Sequence, residues 1–138
     1  SIPLARWKKV LSSNAFFINH QYGDTHDEVN RFSAENVTKI YDWEDNDALN
    51  DLDNQAALIS ELDLVISVDN ATVHSSIAVG TEVWNILDPS LNLMWMENGS
   101  DKSPLSRHVK LFKKKKQDDW SYALKSIEEN LKRRLDEE

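Results

Sequence analysis

At 138 residues the chain has material for one hydrophobic core and not for two large ones. With 40% hydrophobic and 29% charged residues it falls in the soluble globular range, and a formal net charge of −8 excludes a general nucleic-acid or anionic-membrane binder. It has no cysteine, which removes disulfides and thiolate zinc sites from consideration.

No apolar run approaches the roughly 20 residues that cross a bilayer, and no signal-peptide pattern opens the chain. Together with the absent cysteines, this predicts a cytoplasmic protein with no membrane insertion and no nucleic-acid partner.

The first predicted element is a helix. "SIPLARWKKVLSS" spaces Leu4, Trp7 and Leu11 at helical intervals behind Pro3, which suits a first turn. "AFFINHQY", Ala15 to Tyr22, reads as a short buried strand that ends in polar residues and Gly23. "THDEVNRFSAEN" predicts a helix with Val29 and Phe32 inward, and "VTKIYDW", Val37 to Trp43, a second strand. A polar loop with Asx-turn and cap candidates follows, then the short apolar helix "QAALISEL".

"DLVISVD" is nearly continuous in apolar residues, as expected of a strand covered on both faces. "ATVHSSIAV" predicts a helix stopped by Gly80 at the C′ place. "EVWNIL" and "VKLF" are the next strands, joined by a long irregular connection of the kind that often carries function. Lys113 to Lys116 read as a solvated run after the last strand. From Asp118 to Leu135 the chain predicts an amphipathic helix with Trp120, Leu124, Ile127 and Leu131 on one face, capped by Asp118 or Asp119. Strands alternating with helices predict a Rossmann-like, three-layer α/β/α domain over residues 1–138, with a mostly parallel sheet of about five strands.

One junction carries most of the chemistry. "SVDNATVH" runs from the third strand directly into a helix, and ligands of open parallel sheets collect outside the carboxyl ends of the strands. The backbone N–H groups near Asn70, Ala71 and Thr72 have no intrahelical partners and sit at the positive end of the helix dipole. Small residues let an anion approach them, which makes a phosphate site of backbone. His74 follows Asn70 by four residues and shares its helix face, where it can donate to a phosphate or sugar oxygen. The plainer reading makes Asp69 or Asn70 an N-cap and His74 an ordinary helix residue.

The segment "DLDNQAALISELDLVISVDNATVHSSIAVGTEVWNIL" resembles the donor-binding domain of GT-B glycosyltransferases, nearest the bacterial tetratricopeptide-linked and heptosyltransferase-like families. The likeness lies in a polar lead-in, a short apolar helix, a strand ending Asp-Asn, a histidine, a Gly-terminated helix, and the Val83–Trp84 pair. "FFINHQYGD" is similar to the family's strand ending in Leu-Gln-x-Gly-Asp, with His20 in place of the leucine. The resemblance implies a nucleoside-diphosphate sugar as donor substrate, its diphosphate held at Asn70, Ala71, Thr72 and His74. It implies base and ribose contacts at Asp42 and Trp43, with Gln21 on the cleft wall. It implies no bound cofactor, no catalytic residue in this half, and a partner: the N-terminal half that binds the acceptor. It further implies that the domain's own first strand lies outside the chain. Met94 stands where relatives often carry an arginine before the tryptophan matching Trp95.

The acidic loop (Asp42, Glu44, Asp45, Asp47, Asp51, Asp53) offers oxygen ligands of the type that suit magnesium or calcium. Its spacing follows no known metal loop, so caps and turns are expected there and no metal. Two other readings compete with sugar transfer. One is a receiver-like phosphoacceptor domain using Asp69, although "INHQYGD" lacks the acidic pair that receivers place after the first strand. The other is a non-catalytic interaction module of degenerate GT-B fold.

Overall fold

A computed structural model describes residues 2–20, 25–36, 40–42, 52–68, 71–88, 102–103, 106–115 and 119–137. Pro3 leads into a 3-10 turn (Leu4–Trp7), held by the Arg6 N–H donating to Pro3 O at 3.0 Å, and the turn runs on as α1 (Lys8–Leu11). Then come β1 (Phe17–Ile18), α2 (His26–Glu35), β2 (Ile40–Tyr41), α3 (Leu52–Ser60), β3 (Val65–Val68) and α4 (Ala71–Ala78). The chain continues with β4 (Val83–Leu87), β5 (Lys102–Ser103), β6 (Ser106–Lys113) and α5 (Ser121–Asp136).

The fold is α/β and Rossmann-like, with parallel strands between helical layers. The parallel strands fall into two sheets: β1 pairs with β2, and a second sheet has the order β3-β4-β6-β5. β3 and β4 run parallel with Val65 opposite Val83, and β4 and β6 run parallel with Val83 opposite Val109. β5 is antiparallel to β6, an edge strand inside the connection expected to be irregular. β1 is shorter than its apolar run suggests, since Ala15, Phe16, Asn19 and His20 lie outside it; residues 37–39 and 43 of the second predicted strand lie outside the described residues.

Side-chain alternation divides the core into two clusters. Trp84, Ile86 and Phe112 face α1 and α5, where Val10, Ala123, Leu124, Ile127 and Leu131 meet them. Val65, Val83, Leu87, Val109 and Leu111 face α3 and α4, against Ile59 and Val73. β4 is buried at every position, which explains its unbroken apolar character apart from Asn85. α5 buries the face spaced at Leu124, Ile127 and Leu131, and Arg133 and Arg134 complement the dipole in its last turn. At its start Trp120 takes the cap position, and the Asp119 carboxylate accepts from the Ser121 N–H at 2.8 Å.

The end of α4 sets how the chain enters β4. Gly80 has φ of +79°, a left-handed conformation that costs little only for glycine. Its N–H donates to Ile77 O, and the Thr81 N–H to Ser76 O, the double bond pattern of a Schellman stop. The Thr81 hydroxyl donates to Ile59 O at 2.9 Å and ties the ends of α3 and α4 together.

The lysine run departs from expectation. Lys114 is 8% exposed, its N–H donates to Leu87 O, and its ammonium lies 3.6 Å from Asp88 and 4.6 Å from the Trp120 ring centroid. The solvated-run reading fails here because the parallel register carries β6 through Lys113 and turns the next side chain inward beside the end of β4. Lys115 is exposed and stands over Tyr122.

Candidate functional site

In the larger sheet the parallel strands β3, β4 and β6 have their carboxyl ends on one edge. At one end of that edge, β3 ends at Val68 and α4 starts at Ala71, so the helix N-terminus lies at the carboxyl end of the strands, where ligands of open parallel sheets collect. Asp69 and Asn70 lie outside the described residues. Thr72 is 5% exposed, and its carbonyl accepts from the fully buried Ser76 hydroxyl at 2.7 Å. Burial makes Thr72 a backbone contributor at this edge and leaves its side chain in the packing. His74 is exposed one turn into the helix, where its imidazole is accessible to a solute.

A second polar group assembles where β1 and β2 end. Asn19, 8% exposed, follows β1; its N–H donates to Tyr41 O at 2.8 Å, which continues the parallel ladder. Its side-chain Nδ2 donates to Thr25 Oγ1 and to Asp42 Oδ1, each at 2.9 Å. The other carboxylate oxygen of Asp42 meets His26 Nδ1. His26 is the first residue of α2 and Thr25 holds its N-cap position, so one amide links two strand ends to a helix start. Asp42, named from the sequence, is therefore held by the neutral Asn19 and the ionisable His26. Trp43 and Gln21 lie outside the described residues, as does the acidic loop at residues 43–51.

Sequence reasoning did not find Asn19, Thr25 or His26. A threonine before the helical "HDEVNRF" is the one local signal at this group, but the meeting of Thr25 and Asp42 on the Asn19 amide depends on β1 and β2 pairing in register, Phe17 with Ile40. On the carboxyl edge of the larger sheet, Asp88 and Lys114 pair and offset each other's charge. His20, next to Asn19, has a buried Nδ1 without a hydrogen-bond partner, and desolvation lowers its pKa below the ordinary 6.5. Among the described residues, no three or more His, Cys, Asp or Glu side chains are grouped to hold a metal ion. Among the same residues no helix is long and apolar enough to cross a membrane.

The chain is similar to Protein FlbA of Caulobacter vibrioides, 34% identical over 111 residues. The match covers 80% of this chain and 18% of FlbA, so the chain spans less than a fifth of the curated relative's length. No family model matches the chain, and no solved structure matches it.

Proposed function

We propose that this domain is the nucleotide-sugar-binding half of a glycosyltransferase, part of a longer protein that moves a sugar from a nucleoside diphosphate to a hydroxyl acceptor. The observation that carries the reading is the start of α4 at the carboxyl edge of a parallel sheet, with His74 exposed one turn in. The sequence likeness around Leu62 to Leu87 falls on the elements β3, α4 and β4.

In this reading the amides that open α4 receive the diphosphate, and the helix dipole stabilises the negative charge that develops as the sugar departs. His74 donates a hydrogen bond to the diphosphate or sugar. The Asn19–Asp42–His26 group is the nucleoside side of the edge: Asp42 is the acceptor for ribose hydroxyls, and His26 orients its carboxylate. The acceptor and the general base belong to the other half, so the 138-residue chain binds nucleotide and does not turn over. The receiver reading gains no support from the end of β1, where Asn19 and His20 stand in place of an acidic pair.

The test is an NMR titration of the chain with uridine, guanosine and adenosine diphosphates. Amide shifts centred on residues 70–74 are expected, with a weaker set at Asn19, His26 and Asp42. His74→Ala abolishes these shifts and moves the melting temperature by less than about 2 °C, since exposed positions contribute little to stability. No perturbation at residues 70–74 at millimolar nucleotide refutes the assignment.

A further inference from the structure

α5 carries a polar stripe beside its apolar one. Asn130, Arg133, Arg134 and Glu137 follow at three- and four-residue steps, so they share one side of the helix end. The stripe stands over the entry to β4, where the Arg134 guanidinium pairs with the Glu82 carboxylate and reaches Asp63 O at 3.4 Å. Trp84 of β4 and Lys110 of β6 are opposite each other in the register and share the sheet face that α5 covers. Between helix and strands these side chains wall an open cleft of about 370 Å³. It lies toward the amino end of β4, whereas α4 starts at the carboxyl end of the parallel β3.

The chain carries a net charge of −8, yet the cleft sets Lys110, Arg133 and Arg134 against only Glu82 and Glu137. Arg134 is matched by Glu82. Lys110 is half-buried, and its ammonium donates to the neutral Asn130 Oδ1 at 2.8 Å and stands 5.5 Å from the Phe112 ring centroid. Among the described residues no carboxylate pairs with Lys110 or with Arg133. A half-buried ammonium without a counter-charge bears a desolvation cost that a bound anion offsets. Trp84 is 4% exposed, and its indole N–H is buried with no hydrogen-bond partner. That group only donates, so it too calls for an acceptor. The Glu137 N–H meanwhile takes up the Arg133 and Arg134 carbonyls, which weakens the negative end of α5 beside the cleft.

We propose that this cleft is a binding site for a phosphate monoester of a small hydroxylated molecule. The unmatched donors come from three elements: the Trp84 indole from β4, the Lys110 ammonium from β6 and the Arg133 guanidinium from α5. Donors converging from three directions suit a tetrahedral dianion, while a planar carboxylate offers two oxygens in one plane. A phosphate alone leaves most of the volume empty, and the cleft is in the size range of small-molecule sites. What remains of the wall is the Glu82 and Glu137 carboxylates, which accept from hydroxyl groups and repel a second anionic group. The site stands apart from nucleotide binding at α4 and does not depend on it.

The test is an NMR titration of the chain with inorganic phosphate, glycerol 3-phosphate and acetate at pH 7.5 and constant ionic strength, with chloride as the balancing anion. Both phosphates are expected to shift the Trp84 indole N–H and the amides of Lys110 and Arg133 saturably, glycerol 3-phosphate at the lower concentration and acetate weakly. Arg133→Gln is exposed and leaves the fold intact, and it is expected to weaken phosphate binding by about tenfold through loss of a charged donor. Lys110→Met is expected to weaken it by at least as much. Shifts that chloride reproduces, or no shift of the Trp84 indole at saturating phosphate, overturn the site. Acetate binding as tightly as phosphate overturns the choice of a tetrahedral dianion, and glycerol 3-phosphate binding no tighter than phosphate overturns the hydroxylated body. Phosphate shifts confined to residues 70–74 overturn the cleft while supporting the site at α4.

Discussion

Asn85 sits at the centre of β4, fully buried, between Ser67 and Leu111 in the register of its neighbours. Neither its Oδ1 nor its Nδ2 has a hydrogen-bond partner. Two buried amide atoms left unpaired cost on the order of 1–3 kcal/mol each, while an apolar side chain of similar size there costs none of that. Asn85→Val also puts a β-branched residue in a central strand, against the Val83 and Leu87 side of the core. Slight overpacking from the added volume returns part of the gain, about 1 kcal/mol. The net expectation is a stabilisation of about 2 kcal/mol, or about 8 °C in melting temperature for a domain of this size. Urea unfolding followed by tryptophan fluorescence reads it as a raised midpoint with an unchanged slope. A fall of more than about 1 kcal/mol refutes the reasoning, because it means that the amide is bonded and its removal strands a partner. Asn85→Asp is the control, and it is expected to lose several kcal/mol by burying a charge.

Two further expectations follow from buried ionisable groups. His20 has its pKa lowered by desolvation, so the unfolded chain takes up its proton first as pH falls. Above 6.5 neither state is protonated there and His20 has no effect; below 6.5 stability declines until pH passes the folded value, at up to about 1.4 kcal/mol per pH unit. His20→Gln removes that slope, and urea midpoints between pH 7.5 and 5 that stay parallel to those of the parent chain contradict it. Asp88→Ala leaves the buried Lys114 ammonium without its carboxylate and is expected to cost about 3 kcal/mol. Adding Lys114→Met recovers most of that loss in a double-mutant cycle, and an unrecovered loss means that Asp88 acts through other contacts.

How much was legible in the sequence depended on whether the determining interaction was local. The amphipathic α5, the Gly80 stop and the strands β3 and β4 were readable because helical periodicity, a left-handed glycine and continuous apolar runs are properties of neighbouring residues; the full two-sided cover expected of β3 is found on β4 instead. The start of α4 was readable for the same reason, and so was His74, four residues past Asn70. Register and handedness are not local. They decided that Asn19, Asp42 and His26 meet, that Lys114 turns into the interior, and that a β5–β6 pair forms within the long connection. They also decided that the described parallel strands fall into two sheets. Each of these depends on which strand lies beside which, and that choice is made by packing between residues far apart in the chain.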